Sequence, residues 1–348
     1  MDWTRSMSLS FDYYLVEPST WRDSRKLDTV TVCHITRDID MATLGQSNFT
    51  IADIDDGERW IRCYMVAAQD GAQERICLGT FLVQTPRKTS DGMAAFVECT
   101  AYTPLHVLAE ARPNTGYALA AGSNCVEAAT AVCTEHGVAP VVATTSDHVL
   151  DDHYVAPSDA SWLDVAKTLL ASAGMKIEVD PYGRIVFAPD VPMYMLSPSW
   201  TFRDDETSII LPEVSEEMDW YALPNVCVVS TPSGITGRAE NADPESRLST
   251  TYRGREVTLK VHDPDELRAG CTQAAADAYA LRRLRDESCM EHVVNVAHGY
   301  CPVMIGDVVS VQAPSLGIYA DAIVAKQDME LETALKVNAT LKCKEVLW

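Results

Sequence analysis

The chain has 348 residues, of which 28 are basic and 50 acidic, so its formal net charge at pH 7 is -22. This charge argues against a surface that binds nucleic acid by neutralising phosphates, although an acidic channel would let a duplex pass without adhering to its wall. A hydrophobic content of 47% and a mean hydropathy of -0.06 predict a globular chain of about two to four domains.

The sequence carries no sign of export or of membrane insertion. No apolar run approaches the ~20 residues that cross a bilayer, and the N-terminus lacks the basic and apolar regions of a signal peptide. We therefore expect synthesis in the cytoplasm and no membrane-spanning segment. The eleven cysteines include no CxxC pair, which argues against a zinc knuckle and a disulfide framework. We expect them to be reduced and buried.

Residues 1–110 are predicted to form a first β domain. Strands are expected over 28–35, 40–54, 59–67, 76–84 and 93–102, with apolar and polar residues alternating in the first and third of these ranges and a mainly polar stretch around Phe49-Thr50-Ile51 in the second. Within 59–67, Trp60 and Arg62 fall on one face and Ile61 and Cys63 on the other. A polar turn at 88–92 is expected to join the last two strands. Five strands with tight turns predict a tube-like antiparallel barrel.

Residues 111–199 are predicted to form an α+β module, entered through a short helix at 104–111. A second helix is expected to be capped by Ser123 or Asn124 and to run to Glu135. A third is expected to be capped by Ser158 or Asp159 and to end at Gly174. A β-hairpin over 176–179 and 184–187, with the turn Asp180-Pro181-Tyr182-Gly183, completes the module.

Residues 200–348 are predicted to form a second barrel, interrupted by an insertion at about 231–290. Its closing strands are expected at 291–297, 307–312, 318–327 and 333–341, and a strand at Asn225 to Ser230 is expected to share their sheet. The insertion is predicted to hold a surface loop over 234–247 and one long helix over 263–286, opened by Asp263-Pro264. The apolar face of that helix is predicted to be formed by Leu267, Cys271, Ala274, Ala275, Ala278, Leu281 and Leu284.

The best candidate for a metal site is a cluster of acidic and histidine side chains before the third helix. It consists of Asp147, His148, Asp151, Asp152 and His153. These residue types bind divalent ions, but no second ligand cluster completes a shell, which favours a polar turn. The stretch 53–58 resembles a calcium loop, yet Ala52 stands where the first ligand belongs, so a hairpin tip is favoured. We predict no metal and no cofactor, and leave ion binding by the five-residue cluster open.

No catalytic residue is predicted. The chain has no HExxH, GxSxG, P-loop or GxGxxG motif. An acidic run supplies candidates for a glycosidase pair, but so many acids form such pairs by chance, and a charged loop is favoured; the run holds Glu213, Glu216, Glu217 and Asp219. The scattered histidines have no serine or cysteine partner at a recognisable spacing; they are His34, His106, His262, His292 and His298. We therefore expect a protein that is not an enzyme.

Three passages resemble phage tail hub proteins, a family that includes baseplate hubs, siphophage tail-tip hubs and the base of VgrG-type spikes. One is the helix over 162–170 followed by Gly174 and a hairpin with an Asp-x-x-Gly turn. Another is the hairpin over 78–83 and 96–101. The third is the Ala-rich helix containing Leu281-Arg282-Arg283-Leu284, followed by Gly306-Asp307-Val308-Val309. The order of these passages along the chain matches the family.

The resemblance implies a mainly β protein with two tube-like antiparallel β-barrels and an α+β module. Three chains would form a homotrimeric, pseudo-sixfold ring in the virion, between the tail tube or distal tail protein and the central fibre, spike or tip protein. The tape measure protein and DNA would pass through its lumen. The ring would carry three times -22 charges and serve as a structural adaptor from sixfold to threefold symmetry.

Two alternatives remain open. A hexameric distal tail or baseplate ring protein would share the acidic, β-rich composition, and a cell-wall hydrolase of the tail tip would place a carboxylate pair or a metal in a pocket. In the hub interpretation the important residues are those of packing. They are the Leu267–Leu284 helix face and the sheet edges, which would pair with a neighbouring chain.

Overall fold

The structure is a computed structural model that is mainly β with few helices, as predicted. It describes residues 1–52, 57–90, 92, 95–113, 116–205, 208–231, 234–264, 267 and 272–346. The strands are β1 Ser8–Glu17, β2 Arg22–Leu27, β3 Val30–Asp38, β4 Gly45–Ile51, β5 Trp60–Gln69, β6 Ala72–Val83, β7 Arg87–Ser90, β8 Ala95–Tyr102, β9 Ala118–Leu119, β10 Val141–Val142, β11 Tyr154–Val155, β12 Met175–Val179, β13 Ile185–Pro189, β14 Trp200–Arg203, β15 Ile210–Met218, β16 Val226–Ser230, β17 Thr236–Glu240, β18 Thr258–His262, β19 Cys289–His298, β20 Val308–Ala313, β21 Ile318–Glu330 and β22 Lys336–Val346. The helices are α1 Leu105–Glu110, α2 Cys125–His136, α3 Trp162–Ser172, α4 Thr250–Arg253 and α5 Gln273–Glu287.

One large sheet contains fourteen of these strands. Its main path runs β15-β19-β22-β21-β3-β4-β8-β6-β5-β1-β2, while β20 joins β21, β14 joins β20 and β7 joins β8. The pairing of β3 with β21, in which Asp38 faces Lys326, links strands predicted to belong to different barrels. β2 and β15 are the end strands of the path, so each has a sheet edge on its outer side.

Two parts of the first β region differ from the prediction. β1 and β2 were not predicted; β2 reads Arg-Asp-Ser-Arg-Lys-Leu and shows no apolar alternation. The residues expected to form a turn at 88–92 begin as a strand instead, because β7 pairs with β8 in a hairpin whose last pair is Ser90 and Ala95. The prediction of a turn is therefore wrong for 88–90, and residues 91, 93 and 94 lie outside the described residues.

The α+β module follows the prediction closely. Asn124 caps α2 by accepting from the amides of Val126 and Glu127, and α2 ends at Gly137. β12 and β13 form the predicted hairpin. The cap of α3 is Ser161, three residues later than Ser158: its hydroxyl accepts from the Asp164 amide while the Asp164 carboxylate accepts from the Ser161 amide, and a capping box satisfies two amides at once.

The chain divides into two compact units. The first unit comprises Met1–Glu213 with Val296–Thr340, and the second comprises Val214–Asn295 with Leu341–Trp348. In the first unit β5 is buried on both faces: Trp60 belongs to a core shared with α1, α2 and α3, and Ile61 belongs to a core between the strands. The predicted alternation of faces in β5 is thus present, but neither face is exposed.

In the second unit, the predicted pairing of Asn225 to Ser230 is wrong. β16 lies in a separate three-stranded sheet, antiparallel to β17 and parallel to β18, and does not pair with the strands after Glu291. β16 pairs instead with β17, which follows it closely along the chain. The sequence did not indicate this partner, because β17 lies within the stretch predicted to be a loop. The Asn225 side chain also joins the segments, donating to the carbonyls of Leu248 and Arg255. A second barrel containing Asn225 to Ser230 is therefore not found.

The long helix also begins later than predicted. Asp263 has a φ of 49°, in the left-handed region, so it does not open a helix, and Thr272 caps α5 instead. The predicted apolar face is correct only in part. Leu267 and Leu284 are buried as predicted, whereas Ala274, Ala275, Ala278 and Leu281 are exposed, and Cys271 lies outside the described residues. The residues of α5 that are buried are Ala276, Tyr279, Ala280 and Leu284.

The small residues of α5 allow close packing on the three-stranded sheet. A Cβ atom at Gly237 of β17 would lie 2.3 Å from the backbone oxygen of Ala276. Glycine at this position therefore lets the helix backbone approach the strand directly. This contact fixes the helix in the core that also contains Cys227, Val229 and Leu284.

We predict that Gly237→Ala lowers the free energy of unfolding of the second unit by about 1–3 kcal/mol, because overpacking forces helix and strand apart. The measurement is urea denaturation followed by circular dichroism. Gly299→Ala is the control, since a Cβ there meets nothing within 4 Å. Equal stability of the two variants would contradict the close approach.

Candidate functional site

The five residues of the candidate metal cluster do not converge. The loop that carries them is tied to the start of α2 by backbone hydrogen bonds from Cys125 to His148 and from Leu150 to Ser123. All five side chains of the cluster are exposed: Asp147, His148, Asp151, Asp152 and His153. Among the described residues, no group of three or more His, Cys, Asp or Glu side chains is placed to hold a metal ion. Residues 53–56 of the calcium-like stretch lie outside the described residues.

The acidic run that supplied candidates for a glycosidase pair is mainly strand, not the charged loop that was favoured. Glu216 and Glu217 belong to β15, and the side chain of Glu213 lies outside the described residues. Glu216 accepts from His292 at 2.8 Å in the second unit. Glu217 and Asp219 are exposed, so these two carboxylates do not flank an enclosed cleft.

Two histidines have hydroxyl or thiol neighbours that the sequence spacing did not reveal. The Ser230 hydroxyl lies 2.7 Å from Nδ1 of His262, as a cross-strand pair between β16 and β18. The Cys301 sulfur lies 3.8 Å from Nδ1 of His298, but that nitrogen donates to the Gly299 carbonyl and is not free to accept a proton.

Burial also makes the His298 and Cys301 pair unreactive. It lowers the pKa of His298 to about 4 and raises the pKa of Cys301 to about 12. Both groups are therefore neutral near pH 7, whereas a nucleophilic cysteine must be a thiolate. The expectation of buried, reduced cysteines is confirmed for the nine whose side chains are described, which are free and buried.

The most elaborate polar site is the junction between the α+β module and the large sheet in the first unit. Arg62 of β5 has a side chain only 5% exposed and forms an ion pair with Asp23 at 2.8 Å. The same guanidinium donates to the Thr80 hydroxyl and to the Tyr182 carbonyl. The Trp21 indole also donates to the Tyr182 carbonyl, at 2.8 Å. The Tyr182 carbonyl in the hairpin turn of the module is thus bound by Arg62 of β5 and by Trp21, which precedes β2.

The turn itself is shaped for this contact. The thiol of Cys77 and the hydroxyl of Thr80 both donate to the carbonyl of Pro181, each at 3.1 Å. Gly183 has a φ of 73°, and a Cβ there would lie 2.8 Å from Cβ of Thr80. Glycine is therefore required both by the left-handed backbone and by the closeness of the sheet.

A cavity of about 750 Å³ lies beside this junction, within the first unit. Two cations on its wall serve the fold: Arg37 donates to the Gln327 side chain and the Leu78 carbonyl, and Lys167 donates to the Ala42 carbonyl. Burial lowers the pKa of both side chains. The Arg37 bonds connect β3 to β21 and β6, and the Lys167 bond connects α3 to the segment that follows β3.

Sequence reasoning missed the junction residues Trp21, Asp23, Arg62 and Arg37. A signal was present in β5, where Arg62 stands in the otherwise apolar run Trp-Ile-Arg-Cys-Tyr-Met-Val. A charged residue inside an apolar strand indicates a buried partner. The sequence does not show which partner, because Asp23 and Tyr182 are distant along the chain.

Solved structures with the same architecture identify the fold. A tail protein from Neisseria meningitidis MC58 matches over 97% of this chain and 98% of its own, with a TM-score of 0.62 and 14% identity. The 43 kDa tail protein of prophage MuSo2 from Shewanella oneidensis matches over 95% and 97%, with a TM-score of 0.63 and 12% identity. The chain has the fold of phage tail proteins.

The tail-protein fold extends to a secretion-system spike. A chain of the Francisella PdpA-VgrG complex matches over 99% of this chain and 54% of its own, with a TM-score of 0.60 and 8% identity. The resemblance to tail hub proteins and to the base of VgrG spikes is thus confirmed at the level of the fold. No protein-family model matches the chain, and no curated protein is similar to it in sequence. No helix in the described part is long and apolar enough to cross a membrane.

We predict that Arg62→Met lowers the free energy of unfolding of this tail-fold protein by about 3 kcal/mol, because it leaves Asp23 and the Tyr182 carbonyl with fewer partners. The measurement is urea denaturation followed by tryptophan fluorescence, since Trp21 and Trp60 pack at 4.9 Å beside the junction.

The matched control for Arg62→Met is Arg184→Ala. It removes an ion pair with Asp180 in which the arginine side chain is 49% exposed, so we expect a loss below about 1 kcal/mol. If both substitutions cost the same, the junction does not depend on the buried guanidinium.

Proposed function

We propose that the chain is a structural component of a phage tail. It forms a homotrimeric hub ring that joins the tail tube to the central fibre or spike, adapts sixfold to threefold symmetry and lines the DNA channel. The observation that carries this proposal is the match to phage tail proteins over nearly the full length of both chains. A match over a single domain would be weaker support for a tail function, because one fold can serve different functions.

The organisation of the chain agrees with a mechanical role. In this proposal 1–110 and 200–348 supply the tube-like β regions, 111–199 is the α+β module, and the large sheet forms the wall of the channel. Arg62 and its partners hold the module rigidly to that wall. The described residues bring together no metal cluster, and the Cys301 thiol is held neutral by burial.

The net charge fits a channel for DNA. Each chain carries -22 at pH 7, and a negative wall repels phosphate, so a duplex would slide without adhering. The ring would be assembled from chains made in the host cytoplasm and would reside in the virion. Its partners would be the tail tube or distal tail protein on one side, the fibre, spike or tip protein on the other, and the tape measure protein and DNA in the lumen.

We predict three copies of the chain per tail. Quantitative mass spectrometry of purified tails, with the copy number scaled to the tail tube protein, measures this directly. A gold-labelled affinity tag on the chain should mark the end of the tail that bears the fibre or spike. Six copies would indicate a hexameric distal tail or baseplate ring protein instead, and absence from purified tails would contradict the structural role.

A further inference from the structure

The two end strands of the large sheet carry opposite charges. β2 has three basic residues among six, namely Arg22, Arg25 and Lys26. β15 has three glutamates among nine residues and no basic residue. Because the whole chain has 28 basic and 50 acidic residues, the basic end strand departs from the overall balance. The opposite edges of one sheet are therefore electrostatically complementary.

The charges at these edges are accessible. Arg22, Arg25 and Lys26 are all exposed, and Lys26 also lies 2.8 Å from Asp12 within its own sheet. On β15, Glu217 is exposed and Glu216 is bound to His292. The exposed charges described on the two strands are thus basic on β2 and acidic on β15.

The two strands also match in length. Pro212 has no N–H to donate, which interrupts edge pairing near the start of β15. The remaining stretch, 213–218, is as long as the six residues of β2. Among the described strands of the large sheet, the others with a single partner are β7 and β14, which have four residues each. They offer shorter ladders to an incoming strand.

We propose that β2 of one copy pairs edge to edge with β15 of the next copy, and that this contact closes the ring. The proposal rests on the ring function given above and names the surfaces that form it. Like charges oppose pairing of β2 with β2 or of β15 with β15, while opposite charges favour β2 with β15. A contact between two different surfaces is head-to-tail, and such contacts produce rings when the rotation closes.

The end of β15 also exposes apolar side chains. Met218, its last residue, is 37% exposed, and Tyr221, just beyond the strand, is 87% exposed. A neighbouring chain paired along 213–218 would end beside Met218.

The first experiment places cysteines at the two edges. Tails are assembled with the Ser24→Cys/Ser215→Cys chain and treated with a bismaleimide whose arm spans ~10 Å, which tolerates a register slip of about three residues. Both serines are exposed, and the nine cysteines whose side chains are described are buried. We expect covalent dimers and trimers on a denaturing gel, and none with Ser24→Cys or Ser215→Cys alone. Monomer only, in tails that hold three copies, overturns the pairing and leaves the hub function standing.

The second experiment reverses the charges on the same cysteine background. Arg22→Glu/Arg25→Glu and Glu213→Arg/Glu217→Arg should each lower the cross-link yield about tenfold or more, a change equivalent to at least 1.4 kcal/mol. Combining all four substitutions restores opposite charges and should restore the yield. An unchanged yield in the separate variants, or no recovery in the combined one, overturns the charge complementarity. Tails that lack the chain, or hold six copies, instead contradict the proposed function.

Discussion

The structure of the first unit depends on one buried cation. Arg62 lies in the middle of β5, where both faces are covered by apolar cores, and a buried guanidinium is costly unless acceptors surround it. Those acceptors come from Asp23 on β2, Thr80 on β6 and the Tyr182 carbonyl in the module's hairpin turn. The full set exists only when the module sits on the sheet. The requirement of Arg62 for partners therefore couples two segments that could otherwise fold independently.

In the hub ring that we propose, this coupling would hold the small α+β module rigidly on the large sheet. The core of the module includes Trp60 and Leu82 from β5 and β6, so one set of strands supplies two cores. Burial on both faces leaves the strand edges as the means of extending the sheet, and β2 and β15 are its ends. Rigid chains that join through the edges of their sheets can build a tube from few copies.

Local features were predictable from the sequence, and distant pairings were not. Asn124, Gly137 and the Asp180–Gly183 turn act within a few residues, so cap and turn chemistry located the helix and the hairpin. The pairing of β16 was predicted wrongly, because alternation shows which face a residue occupies but not which strand lies beside it. The start of α5 was misplaced because Asp263-Pro264 imitates a helix opening that the left-handed backbone of Asp263 prevents. The junction around Arg62 was missed for a similar reason. The apolar run in β5 indicates that Arg62 is buried, but tertiary structure decides which groups bind it.

Hydrogen exchange at the module's turn tests most directly the claim that module and sheet form one body. The amides of Gly183 and Arg184 donate within a turn packed on Thr80 and Trp21, whereas the hairpin turn at Asp70 and Gly71 is exposed. Amides that open only with the whole unit exchange at its unfolding rate or slower. We predict that Gly183 and Arg184 exchange as slowly as the amides of β5 and far more slowly than Gly71. Exchange as fast as at Gly71, while β5 stays protected, would contradict the account.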